Sequence, residues 1–230
     1  MCGRFTLTLS TAQIEARFGV PLPAQYKPRY NIAPTQEILA LIADDQGRRI
    51  EPLRWGLIPH WAKDPQIAQK LINARAETLF EKPSFRDAVR RRRCLILADG
   101  FYEWRQTPSG KKTPVYVRLK SREPFGFAGL WESWNSPDGQ TLKTCTIITT
   151  EPNELIKPIH NRMPVIVSRE YEELWLDPSP KARAELERVL RPYHAEELEL
   201  YDVSATVNSP SNDGPECIAP VSSLGRGEVV

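Results

Sequence analysis

This 230-residue chain is short of several things, and each shortage excludes something. It has four cysteines, Cys2, Cys94, Cys145 and Cys217, and no Cys-x-x-Cys pair among them. That scatter argues against a structural zinc site and a disulfide scaffold, and it suits a reducing cytosol. Three histidines add no ligand set, so neither a metal nor a cofactor is expected. No apolar run approaches the ~18 residues of a membrane span, and no basic segment leads into an apolar stretch as a secretory signal would. The expectation is a soluble, cytoplasmic protein with no membrane partner. The formal charge of +2 does not by itself announce a nucleic-acid binder. Repeats, low-complexity tracts and an interdomain linker are also missing.

What is present belongs to an ordinary globule. Hydrophobic residues make up 40% and charged residues 26%, in a chain long enough to bury a proper core. The 21 prolines are spread out, which favours many short elements joined by ordered turns. Stretches rich in β-branched and aromatic residues predict strands at Arg4–Thr8, Ile38–Ile42, Ile50–Ile58, Cys94–Trp104 and Val115–Leu119. The same signal recurs at Phe125–Trp131, Leu142–Thr149, Val165–Val167 and Glu199–Val203. Helical patterns fall at Ala12–Phe18, Phe85–Arg92, Glu170–Leu176 and Lys181–Leu190, with Thr11 and Ser168 as N-caps of the first and third. The run Arg90 to Arg93 reads as a solvated helix end. Helices interrupt strands without a βαβ rhythm. The fold class is therefore α+β: one domain over residues 1–220, with a curved, mostly antiparallel sheet and short flanking helices, and a frayed tail at 221–230.

Chemistry begins at Cys2, which follows Met1 and precedes Gly3 and Arg4. Initiator Met is readily trimmed before a small residue, so the mature chain is expected to start with the amine and thiol of Cys2. A free α-amine titrates near ~7.7–8.0 and a free thiol near ~8.5. Such a 1,2-aminothiol attacks an acyl carbon through sulfur, or takes an aldehyde as a Schiff base and closes on it as a five-membered thiazolidine.

Five further segments combine polar groups with turn residues in apolar surroundings. Tyr30-Asn31-Ile32-Ala33-Pro34 offers an amide beside a rigid proline. Trp55-Gly56-Leu57-Ile58-Pro59-His60-Trp61 carries two indoles, of which Trp55 fits a core and Trp61 a base-stacking platform. Asn73-Ala74-Arg75-Ala76-Glu77-Thr78 puts Asn73 and Arg75 on one face if extended. Asp99-Gly100-Phe101-Tyr102-Glu103-Trp104 sets Glu103 among aromatics, where burial raises a carboxyl toward the range useful for acid–base work. His160-Asn161-Arg162-Met163-Pro164 places a histidine two residues before an arginine.

Together with Met1-Cys2-Gly3-Arg4-Phe5, these segments resemble, in order and from residue 2 to about Pro220, the SOS-response-associated peptidase (SRAP) family, whose members shield abasic sites in single-stranded DNA. The resemblance implies that Cys2 forms a thiazolidine with the ring-opened sugar of an abasic site, and that whatever precedes Cys2 is removed autoproteolytically. By motif, Asn73 positions the Cys2 terminus or the opened sugar, and Glu103 and His160 shuttle protons. Arg4, Asn31, Arg75, Arg86, Thr149 and Arg162 match residues that hold the phosphates flanking the lesion. Pro34 and Trp61 match a wedge and stacking surface at which a duplex stops. The implied partner is abasic single-stranded DNA, with junctions of single and double strand also accepted, bound by a monomer that joins the nucleoid during DNA damage.

Two positions depart from the family pattern. Ala62 stands where some members carry a second Trp, which thins the stacking surface, and Leu97 stands where a Pro precedes Ala-Asp-Gly. Two other readings of the residues stay open. An N-terminal-nucleophile cysteine amidohydrolase also begins Met-Cys-Gly, although it continues with an apolar residue where this chain has Arg4. A non-covalent single-strand binding module needs only stacking rings and arginines.

Overall fold

A single carboxylate divides the sheet system in two. The computed structural model describes residues 2–221. The strand expected over Cys94–Trp104 is two strands, β6 (Arg93–Ala98) and β7 (Gly100–Gln106), broken at Asp99. The break is enforced by hydrogen bonds. Asp99 accepts from the Thr6 hydroxyl, from the Thr8 hydroxyl and backbone N–H, and from the Leu9 N–H. Gly100 follows with no room for a side chain, since a Cβ there would lie 2.1 Å from the Tyr116 hydroxyl. β6 therefore joins one sheet and β7 another.

The larger sheet contains β3 (Glu37–Asp44), β4 (Gly47–Trp55), β6, β9 (Phe125–Asn135) and β10 (Thr141–Thr150). β9 pairs antiparallel with both β6 and β10, which closes the ring β10-β4-β3-β6-β9 into a small barrel. The short strands β11 (Met163–Pro164) and β12 (Ile166–Val167) extend it at β10 and β9. The second sheet has five strands in the order β13-β8-β7-β1-β2, with β1 (Phe5–Leu7), β2 (Arg29–Ile32), β8 (Lys112–Leu119) and β13 (Leu198–Asp202). Most pairings are antiparallel, and with few short helices the architecture is the expected α+β fold. Phe5 on β1 ties the sheets together, packing edge-on against Trp55 at 5.2 Å and Phe127 at 5.7 Å between ring centroids. Trp55 is thus a core residue.

β10 also makes the parallel pairings, and they place the site. One edge of β10 is shared, first by β4 up to Cys145–Trp55 and then by β5 (Asn73–Arg75), with Ile147 opposite Asn73 and Thr149 opposite Arg75. The chain between them, residues 56–72, leaves the sheet as a loop and returns. Gly56 starts this departure at φ 129°, where a Cβ would meet the Ala68 carbonyl oxygen at 2.9 Å. β5 was not among the expected strands, because three residues carry no readable period.

The helices are α1 (Thr11–Phe18), α2 (Ala88–Arg91), α3 (Arg169–Leu176) and α4 (Arg183–Val189). The N-cap of α1 is Ser10, one residue before the expected Thr11, because Ser10 and Gln13 form a reciprocal capping box. Ser168 caps α3 by position. The arginine run is not all solvated: Arg93 is buried. Its guanidinium donates to the carbonyls of Val89 and Arg90 at the end of α2 and of Trp175 and Asp177 at the end of α3. One cation thereby satisfies orphan carbonyls of two helix C-termini. Near the chain's end Pro220 bridges to Val203 and the Val221 N–H donates to Asp202. The rest of the expected tail, 222–230, lies outside the described residues.

Candidate active site and nucleic-acid interface

Cys2 precedes β1 and is buried, carried into the interior by Phe5 three residues on. Antiparallel pairing of β1 with β7 sets Phe5 opposite Phe101, and the Tyr102 N–H donates to the Arg4 carbonyl at 3.0 Å. The register thus brings the residues before Arg4 alongside Glu103. Asn73 approaches from β5, its Nδ2 donating to the Cys2 carbonyl at 2.8 Å. The Asn73 Oδ1 is buried with no hydrogen-bond partner among the described residues. A carboxamide that holds the Cys2 backbone with one end keeps an acceptor in reserve at the other.

The His160 loop reaches the same place through β10. Arg162 Nη2 donates to the Thr149 carbonyl and lies 3.3 Å from its hydroxyl, and Thr149 is the register partner of Arg75. The Arg162 N–H donates to His160 Nδ1 at 3.0 Å, while the Arg162 carbonyl lies 3.2 Å from the same nitrogen. A neutral ring accepts the first contact and a protonated ring donates to the second, so the loop accommodates both states.

Electrostatics join these groups. Burial pushes the Cys2 thiol far above its ordinary value, and the Glu103 charge adds to this; the positive amino terminus and a backbone hydrogen bond from Arg4 act against it. Glu103 is 3% exposed. Burial raises its carboxyl to about 7, against the opposing pull of the amino terminus and a backbone hydrogen bond from Trp104. Burial, and then the amino-terminal charge, lower His160 below its ordinary value, so its imidazole is neutral at pH 7. The site at rest therefore holds a protonated thiol, a carboxyl near half-ionisation and a neutral imidazole. Acid and base are both available at one pH.

The expected phosphate-holding residues divide into three groups. Thr149 and Arg162 belong to the chain of contacts just described, with the Arg162 guanidinium also paired end-on with Glu77 at 2.6 and 3.0 Å. Arg4 and Asn31 form a second unit. Arg4 donates to Asn31 Oδ1 at 2.7 Å and lies over the Trp104 ring. Asn31 is buried and its Nδ2 donates to the carbonyls of Val207, Ser209 and Asn212. Every polar atom of the Asn31 side chain is thus spent on bracing Arg4 and the 207–212 segment. Arg75 and Arg86 are exposed, Arg75 at the end of β5 and Arg86 in the turn before α2. Trp61 stands on the 56–72 loop, 49% exposed. Pro34 is half-buried and precedes Thr35, which holds a left-handed φ of 74°.

Two supporting residues lay outside the sequence reading. Glu77 sits within the Asn-Ala-Arg-Ala-Glu-Thr segment, and its spacing of two from Arg75 was the available signal. Asp213 accepts from the backbone N–H groups of Tyr30 and Asn31 at 2.6 and 2.8 Å and pairs with Arg29. Nothing in local spacing points to it. Among the described residues no group of three or more His, Cys, Asp or Glu is placed to hold a metal ion, and no helix is long and apolar enough to cross a membrane.

A thiol brought to the head of a sheet beside a raised carboxyl, an imidazole and a carboxamide defines a class, the α+β proteins with a buried cysteine near the amino terminus. Comparison with known proteins narrows the class to one family. The chain belongs to the SOS response associated peptidase (SRAP) family, whose model matches residues 1–210. It is 52% identical over 221 residues to the abasic site processing protein YoqW of Bacillus subtilis, covering 95% of this chain and 99% of that protein. It is 34% identical to the abasic site processing protein HMCES of Gallus gallus, covering 96% of this chain and 78% of that one. A crystal structure of a Bacteroides thetaiotaomicron protein shares the fold with a TM-score of 0.87 at 28% identity, covering 96% of this chain and all of the other.

Proposed function

We propose that this protein processes abasic sites in DNA by capturing the ring-opened sugar covalently on Cys2. The relatives named above are abasic site processing proteins, which supports the substrate class. The observation that carries the chemistry is Asn73 holding the Cys2 carbonyl and Glu103 acting on the Cys2 thiol, with His160 within electrostatic reach of the amino terminus.

Once Met1 is removed, by trimming or by the chain's own peptidase chemistry, the Cys2 amine adds to the C1′ aldehyde to give a carbinolamine. Loss of water gives an imine. The Cys2 sulfur then adds to the imine carbon while a proton goes to nitrogen, so aldehyde plus aminothiol become thiazolidine plus one water. The thiol needs a base because burial keeps it protonated, and Glu103 near pH 7 accepts that proton without the cost of a strong acid. The neutral His160 ring handles the proton that leaves with water. Asn73 fixes the Cys2 carbonyl, which aims amine and thiol at one carbon. Capture removes the carbonyl that acidifies the C2′ proton, so the strand no longer breaks by elimination. Arg75, Arg86 and Arg162 hold flanking phosphates, Arg4 does so braced by Asn31, and Thr149 orients Arg162. Single strands, or junctions closed off at Pro34 and Trp61, are the substrates, and the protein acts as a monomer in the cytoplasm on damaged nucleoid DNA.

The test is incubation with a uracil-excised single strand followed by denaturing electrophoresis. Wild type gives an adduct that forms without borohydride and survives heating in detergent. Cys2→Ala, or an uncleavable residue retained before Cys2, gives none, and Cys2→Ser gives mainly a borohydride-dependent product or strand cleavage. The same heat-stable adduct in Cys2→Ala would end the assignment. A wild-type adduct that depends on borohydride as much as Cys2→Ser does would reduce the protein to an amine-based lyase.

A further inference from the structure

The 56–72 loop carries a cluster that the Cys2 site does not use. Glu132 on β9 has a side chain 5% exposed, and a carboxylate so buried is destabilising unless it is matched. Arg92, just beyond α2, matches it, with Nε 2.7 Å from one carboxylate oxygen and Nη2 donating to the other at 3.0 Å. His60 then brings Nδ1 to 3.1 Å from that second oxygen, although the charge is already balanced. The His60 side chain is 52% exposed and its neighbour Trp61 is the large aromatic that the described residues leave in solvent.

A surface imidazole anchored through Nδ1 has lost its rotational freedom, and its Nε2 lies across the ring from the anchor. A carboxylate behind an imidazole fixes which way the working nitrogen points. Ala62 does not widen the platform, because it is buried and its carbonyl accepts from Trp134 Nε1 at 2.7 Å. The loop tip therefore presents one ring, one fixed imidazole and the exposed Lys63, with exposed Arg90 and Arg91 preceding Arg92 in the last turn of α2. The neighbouring acid, Asp64, is engaged in capping the turn at Gln66. A stacking surface beside an oriented imidazole and exposed cations is the chemistry that holds a base and its phosphate.

We propose that His60, oriented by the buried Glu132, contacts a backbone phosphate of the DNA segment that stacks on Trp61. As imidazolium the ring donates Nδ1–H to Glu132 and Nε2–H to the phosphate, bridging two anions. This rests on the DNA reading above and adds a contact that the Cys2 chemistry does not require.

The test uses the full chain with Cys2→Ala, so that binding is non-covalent, and a labelled strand of about 20 nucleotides with a duplex arm and no abasic site. Affinity is read at pH 6 across a salt series. His60→Ala is expected to weaken binding about 3- to 10-fold and to flatten the log–log salt slope by about one phosphate contact, ~0.7 to 0.9. His60→Arg restores the slope. An unchanged affinity and slope in His60→Ala, with an unchanged melting temperature, overturns the inference. So does failure of His60→Arg to restore the slope when its melting temperature also matches. A Cys2→Ala protein that binds no DNA overturns both this contact and the DNA reading, whereas the adduct assay on wild type judges the Cys2 chemistry separately.

Discussion

Asp99 and Glu103 lie four residues apart in one segment, both are buried, and they live in opposite circumstances. Asp99 turns the corner between the sheets and is saturated with donors: two hydroxyls and two backbone N–H groups, with Tyr116 extending the network through Thr6 at 2.8 Å. Glu103 lies buried within electrostatic reach of Cys2, burial is the main influence on it, and its carboxyl rises to about 7. The first carboxylate is part of the fold's stability, because the site was built to solvate it. The second is held short of full ionisation, which is a cost to the fold and an asset to acid–base chemistry.

The largest effect that sharpens this contrast is on stability. Asp99→Ala strands the Thr6 and Thr8 hydroxyls and two N–H groups, so unfolding in urea should show a loss of about 3–5 kcal/mol. Glu103→Gln should behave in the reverse sense and with pH dependence. A carboxyl raised from 4.5 to about 7 binds its proton more tightly in the folded state. Its stabilising contribution is complete below the unfolded value near 4.5, fades as pH rises through 7, and is absent above that. The span is about 3 kcal/mol. The Gln variant should therefore match wild type near pH 5 and exceed it by about 2–3 kcal/mol at pH 8. A pH-independent difference would mean that Glu103 is solvated as well as Asp99 is.

Kinetics come next in size. Glu103→Gln should slow formation of the adduct with abasic DNA about 10²-fold and remove the inflection near pH 7, since a general base of matched strength contributes at least that much. His160→Ala should slow formation or reversal by about 10-fold, with non-covalent binding retained in both variants. Unchanged rates in both directions between pH 5 and 8 would return the two residues to a purely structural role.

The candidate site was legible in short segments, and the geometry around it was not. Cys2, Asn73, Glu103 and His160 each stand in a segment whose residue types announce a use, and strand alternation relates Asn73 to Arg75. The apolar centres of β3, β9 and β10 were visible, at Ile38–Ile42, Phe125–Trp131 and Leu142–Thr149, and their polar ends were not. The corner at Asp99 was not visible, because it depends on donors from Thr6 to Leu9, 90 to 93 residues upstream in sequence. Arg93 looked like the exposed Arg90 and Arg91 before it, and the carbonyls of Trp175 and Asp177 that bury it lie on a distant helix. Asn31 looked like a ligand-binding amide until the 207–212 segment occupied it. Side chains advertise their chemistry locally, but their availability is decided by whatever the rest of the chain places against them.

The same division between occupied and available groups separates the arginines, and it sets the smallest expected effect. Arg93 is held by helix carbonyls, whereas Arg75 ends β5 exposed, directly across from Thr149. Arg75→Ala removes no buried partner, so its unfolding free energy should stay within the range of surface substitutions, about ±0.5 kcal/mol. Its affinity for single-stranded DNA in the Cys2→Ala background should nevertheless fall about 3- to 10-fold. The slope of log affinity against log salt should shrink by ~0.7, the release expected for one phosphate on a single strand. Arg75→Lys keeps the charge and should keep the slope, while losing part of the affinity through the missing guanidinium fork. A full-length salt slope in Arg75→Ala would mean that the exposed end of β5 does not face the strand, and that the phosphates run instead past Arg162 and Arg4.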